Sequence, residues 1–222
     1  MDTVYNGYMN EFHIPHHLPI DLTAIGFVER EHDRNGNVVK NRCGRDFLYY
    51  ALNYLQPEVY SPSLLNPVRI EQQGIFGVSL PAHLVWTGLT FKHVPSLLKK
   101  KGLHLSINSR PIRTYVDFMC ALIFSRPQSL EDALETIQKN IDAGNIIGID
   151  IAVRLGGLVD HVMFVYGYDA ENLYVCDTRQ TPHVPFIKIT PPDDRRYLMK
   201  LPYREIAPRW NRLSRIWKIS RI

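Results

Sequence analysis

Three side chains in this sequence carry the chemistry of an acyl-transfer centre: a thiol at Cys43, an imidazole at His161 and a carboxylate at Asp177. An imidazolium beside a thiol holds it as thiolate, and a carboxylate beside an imidazole fixes its tautomer and supports its charged form. Each group needs an element to hold it. Cys43 opens a stretch in which Phe47, Tyr50, Ala51, Tyr54 and Leu55 recur at helical spacing, before Gln56-Pro57 supplies a stop. The sulfur is therefore expected at a helix N-terminus, where unpaired N–H groups and the helix dipole favour an anion. On this stretch alone, a buried structural cysteine is the plain alternative.

The other two groups bracket one motif. An apolar run opens on His161, a polar turn runs from Asp169 to Asn172, and a second run closes on Asp177. That pattern predicts a β-hairpin. In an antiparallel pair the start of one strand lies beside the end of the next, so His161 and Asp177 are expected as neighbours at one end of a sheet.

A chain of 222 residues, 45% hydrophobic and 22% charged, is long enough for one sizeable core, and a single domain is expected over 1–222. Within it, 1–36 is a loop-rich N-terminal segment. The first residues show no basic patch followed by an apolar core, and the longest apolar runs, 115–124 and 146–153, are too short to span a bilayer. The expectation is a cytoplasmic protein with no membrane span. Cys43, Cys120 and Cys176 are odd in number and lack CxxC spacing, which argues against a disulfide framework or structural zinc. Cys120 and Cys176 read as core. His13-Ile14-Pro15-His16-His17 reads as a surface loop, because Pro15 breaks any helix that would align its histidines. No metal site and no cofactor are expected.

The net charge is +4, but 188–222 holds ten Lys and Arg against three Asp and Glu. Without a basic recognition helix or an RNA-binding aromatic motif, this reads as a solvated face, and no nucleic-acid partner is expected.

Further helices are predicted over 81–88, over 91–101 with Gly102 as its stop, and over 111–124 with Ile112, Tyr115, Val116, Met119 and Ile123 facing the core. The clearest helix opens on the capping-box-like Ser129-Leu130-Glu131-Asp132 and ends at Gly144. Strands are predicted over 103–107, 146–153, 161–168, 173–177, 184–189, 197–201 and 213–219, with a short helix over 202–209. Helices first and an antiparallel sheet second make an α+β domain.

With Cys43-Gly44 opening a helix, and His161 and Asp177 sixteen residues apart around Gly167-Tyr168-Asp169, the chain resembles the papain-like cysteine peptidases. It is most similar to the branch of bacteriocin-processing, double-glycine leader peptidases and their stand-alone relatives. Pro202-Tyr203-Arg204-Glu205-Ile206, Trp210 and the run through Trp217-Lys218-Ile219 are similar to that family's last helix and strand. The resemblance implies an α+β papain-like fold, with Cys43 as nucleophile, His161 as general base and Asp177 as its orienter. It implies a peptide or protein substrate. Asn37 stands where the family usually has an oxyanion-binding glutamine, and offers the same N–H donors on a stem one carbon shorter. Arg45 and Thr178 stand where proline is frequent.

Two other functions fit the same residues. One is an acyltransferase passing an acyl group from a thioester to an amine, since Cys43-Gly44 and Ile75-Phe76-Gly77-Val78-Ser79 are similar to the acyltransferase domain of butirosin biosynthesis. The other is a non-catalytic binding module whose basic C-terminal segment holds an acidic partner.

Overall fold

The structure is a computed structural model, and it describes residues 14–19, 43–55, 94–124, 126, 128–152, 160–177, 187–188 and 197–222. Among them, helices α1 (Cys43–Leu55), α2 (Val94–Lys100), α3 (Tyr115–Phe124), α4 (Leu130–Asp142) and α5 (Tyr203–Ile206) pack on a nine-stranded sheet. Its strands are β1 (His16–His17), β2 (Leu103–Ile107), β3 (Arg110–Ile112), β4 (Ile146–Ala152), β5 (Asp160–Tyr168), β6 (Asn172–Asp177), β7 (Ile187–Lys188), β8 (Tyr197–Pro202) and β9 (Arg215–Arg221). The order is β3-β2-β9-β4-β5-β6-β8-β7, with β1 added on β5, and the pairings among the described strands are antiparallel. The protein is an α+β domain. The helix predicted over 81–88 lies outside the described residues.

Both faces of the central strands are buried. Phe47 packs over Gly148 and meets Trp217 edge-on, with ring centroids 6.1 Å apart, and Tyr50 stacks on Phe164 at 5.8 Å. These contacts put α1 on the face that carries Gly148, Phe164 and Trp217, which are direct partners in the register. Alternation sends Ile147, Ile149, Ile151, Met163 and Val165 to the other face, where all five are buried. There α4 contacts β4, β5 and β1. Its buried stripe is Ala133, Ile137 and Ile141. Ser129 caps α4 as predicted: its hydroxyl accepts from the Asp132 N–H at 3.1 Å, and Gly144 ends the turn at φ +74°.

The predicted helix over 111–124 is corrected in two respects. Asn108 and Ser109 both adopt positive φ, at 45° and 65°, and this two-residue turn sends Arg110–Ile112 back along β2 as a strand. The helix that follows buries Phe118 and Ala121, while Val116 is 67% exposed. Phe118 is selected because Trp217 lies against it, 5.9 Å between rings. Cys120, expected in the core, is only half-buried, whereas Cys176 is buried.

His16 and His17 are also not a loop. β4 pairs with β5 as far as Val165, and β1 then pairs with Gly167 and Tyr168 on the same edge, while the bulge between Val165 and Gly167 lies in the β5–β6 pairing. Leu18 is buried and its N–H donates to the Tyr166 carbonyl at 2.8 Å. A Cβ at Gly167 would come within 2.8 Å of the His16 carbonyl oxygen, so glycine is what lets the segment dock. His16 lies stacked on Tyr168 at 4.5 Å, and the Tyr168 hydroxyl donates to Asp142 at 2.8 Å. Burial, that bond and the carboxylate charge push the Tyr168 phenol up to about 12.

Nor is the basic C-terminal segment wholly solvated. Arg209 and Arg215 are buried, Arg209 donating to the Glu205 carbonyl and Arg215 to the carbonyls of Arg212 and Ser214.

Candidate active site

The sheet register and the direction of α1 decide which residues share a neighbourhood. Burial raises the Tyr54 phenol and the charge of Arg221 lowers it, so the C-terminal part of α1 lies towards the end of β9. That end is level with the start of β4 and the last residues of β5, because Ile219 pairs with Ile146 and Ile147 with Val165. α1 therefore runs in the same sense as β5. Cys43, one turn or about 6 Å before Phe47, points to the end of the sheet where β5 begins. His161 stands there, three residues or about 10 Å from Phe164.

Asp177 closes β6, one residue beyond the Phe164–Cys176 pair, and its backbone pairs with Tyr197. The N-terminus of α1, the start of β5 and the end of β6 thus come to one end of the sheet. Cys43 is half-buried against the core and His161 is buried. Alternation along β5 puts His161 on the face opposite Phe164, so the structure brings Cys43 and His161 to one end but not over one face. The Asp177 side chain and Asn37 lie outside the described residues.

The hairpin turn that links His161 to Asp177 is tightly built. Asp169 Oδ1 accepts from the N–H groups of Glu171 and Asn172, both 2.8 Å, and from the Asn172 side chain at 2.7 Å. Its Oδ2 accepts from the Tyr174 hydroxyl at 2.8 Å. The Asp169 carbonyl accepts from Tyr203 of α5, which ties the C-terminal part of the chain to this turn. Burial alone would raise the Asp169 carboxyl, but these bonds outweigh it and hold the group below its ordinary 3.8.

Asp169→Asn, which removes the acceptor for Tyr174, is expected to cost about 1–2 kcal/mol at pH 7 in urea unfolding. A carboxyl with a lowered folded-state pKa contributes stability above its unfolded value and loses it as pH falls through the folded one. The gap between parent and variant should therefore shrink below about pH 4. A gap unchanged at pH 3 would mean that the ionised carboxylate does not hold the turn.

Sequence reasoning missed Asp150 and Arg215. They are register partners on β4 and β9, both buried, and both on the α1 face towards the Cys43 end. The Asp in a run of isoleucines was the only available signal for Asp150. Among the described residues no group of three or more His, Cys, Asp or Glu side chains is placed to hold a metal ion. No helix among them is long and apolar enough to cross a membrane.

No protein-family model matches the chain, and no curated protein matches it.

Proposed function

We propose that the protein is a thiol-dependent hydrolase of papain-like fold that cleaves a peptide or isopeptide-type amide bond. The observation that carries this reading is the meeting, at one end of the sheet, of the α1 N-terminus with Cys43, the β5 start with His161 and the β6 end with Asp177. In the reaction the Cys43 thiolate attacks the carbonyl carbon and the carbonyl π pair moves to oxygen. The Cys43 N–H and the Asn37 amide hold that oxyanion. As it collapses the C–N bond breaks, and the His161 imidazolium protonates the departing amine. Water then attacks the thioester while His161 takes its proton, releasing a carboxylic acid and restoring Cys43. Asp177 orients His161 throughout. The reading needs the imidazole to reach the sulfur around the end of the sheet. It also needs free thiols, in a reducing compartment such as the cytoplasm.

The test is a labelling map with an electrophilic acyl probe, paired with hydrolysis of a peptide library. Cys43 should react ahead of Cys120 and Cys176; equal reaction of all three in the folded protein would remove the reading. Asn37 has its own test. Asn37→Ala should slow turnover roughly a hundredfold to a thousandfold and spare the labelling of Cys43, the usual result of losing one oxyanion donor. Asn37→Gln should keep or raise turnover. If both variants match the parent, Asn37 is not the donor.

A further inference from the structure

On the sheet face opposite α1, at the corner away from α4, lies a group of polar side chains that the proposed reaction does not use. Pairing is His104 with Ser220 and Ser106 with Lys218, on β2 and β9, and Ser106 with Pro111 on β3. Because Trp217 faces α1 and α3, alternation turns Lys218, Ser220, Ser106 and His104 the other way. α4 packs chiefly on β1, β4 and β5, and the helix that packs on β2 is α2. Arg113 follows β3 and is exposed, while His104, Lys218 and Ser220 are half-exposed.

The chemistry of the group is one-sided. His104 Nδ1 lies 3.1 Å from the Ser220 hydroxyl. The charges of Lys218 and Arg113 both act on the imidazole, which burial and then these two cations hold below its ordinary value. Ser106 is 3% exposed, and its hydroxyl has no hydrogen-bond partner among the described residues. The carboxylate near Arg113 is Asp117. Its Oδ2 already accepts from the N–H groups of Arg113 and Thr114 and from the Thr114 hydroxyl. Among the described residues the group holds two cations, an imidazole and two hydroxyls, and Asp117, which interacts with Arg113, offsets only one of the cations, so the group remains the complement of a compact multi-oxygen anion.

We propose that Lys218, Arg113, His104, Ser220 and Ser106 form a binding site for a phosphoryl group on the β2–β9 face, separate from the Cys43 end of the sheet. Lys218 and Arg113 supply charge-assisted hydrogen bonds. His104 gains a proton when the anion arrives, because the added negative charge offsets the two cations. Ser220 donates from the rim, and Ser106 lies under the site, its hydroxyl turning to a bound oxygen as Lys218 moves up.

The test is a titration of the full chain with inorganic phosphate at low ionic strength, read by the NMR shifts of the His104 ring. A parallel titration with chloride at matched ionic strength controls for screening. The site predicts a saturable His104 shift with phosphate only, and midpoint titration of His104 at higher pH in its presence. Lys218→Gln and Arg113→Gln should each weaken the response about tenfold or more. Titration with a phosphoserine peptide and with a nucleoside monophosphate then distinguishes the source, the tighter ligand naming it. A linear or absent shift, the same shift with chloride, or an undiminished response in a folded Lys218→Gln variant would overturn the proposal. The readout does not depend on hydrolysis, so it stands or falls apart from the Cys43 reading.

Discussion

Replacing Cys43 with alanine is expected to lower hydrolysis by about four to six powers of ten, and His161→Ala to do nearly the same. Groups that act as one machine are grossly non-additive, so the double variant should be no worse than either single one. The fold should persist, since Cys43 is only half-buried and the helix it opens is held by Phe47, Leu48, Tyr50, Ala51 and Leu52. Circular dichroism and urea unfolding check that point. Multiplying losses in the double variant would show two residues working apart. Undiminished turnover in Cys43→Ala would remove the thiol mechanism altogether.

The largest stability effect is expected at Phe47. Its ring is 1% exposed, wedged between Gly148 and Trp217, and truncation to alanine should cost about 3–5 kcal/mol. Gly148→Ala presses on the same ring from below. A Cβ there would lie 2.9 Å from Phe47 Cε2 and 3.0 Å from Cδ2, which should cost about 1–3 kcal/mol. The two changes are coupled, because the added methyl enters the space that the lost ring vacates. In the Phe47→Ala background Gly148→Ala should be neutral or stabilising, and urea unfolding of the four proteins measures the coupling. Simple additivity would mean that Phe47 and Gly148 do not meet as described. Since Phe47 is one turn from Cys43, Gly148→Ala should also slow turnover in protein that is still folded.

Much of the fold could be read locally. The helix from Cys43, the hairpin around Asp169 and the capped helix from Ser129 each carry start, stop and period within a short span, and each forms where expected. The Asn108-Ser109 turn was legible only in part. Asparagine tolerates positive φ, but without a following glycine the signal is weak, and the apolar spacing that continues through Ile112 imitated a helix. Of the candidate site, Cys43, His161 and Asp177 could be chosen by residue type and chain order. Asp150 and Arg215 could not, since only the register of β4 with β9 sets the two side by side.

The helices from Cys43 and from Ser129 and the hairpin around Asp169 were set by the sequence itself, because the bonds that make them join residues close in the chain. Which stripe of α3 is buried was decided by Trp217, contributed by the last strand. That His16 and His17 extend the sheet was decided by β4, which pairs with β5 only as far as Val165 and leaves that edge open at Gly167 and Tyr168. Where Cys43 stands relative to His161 was decided by the packing of Phe47 and Tyr50 on Gly148 and Phe164, which sets the face of α1, and by the nearness of Tyr54 to Arg221 of the last strand, which sets its sense. Each is a contact between segments distant in the chain. No local period encodes it, because its free energy comes from surfaces that meet only after the sheet has assembled.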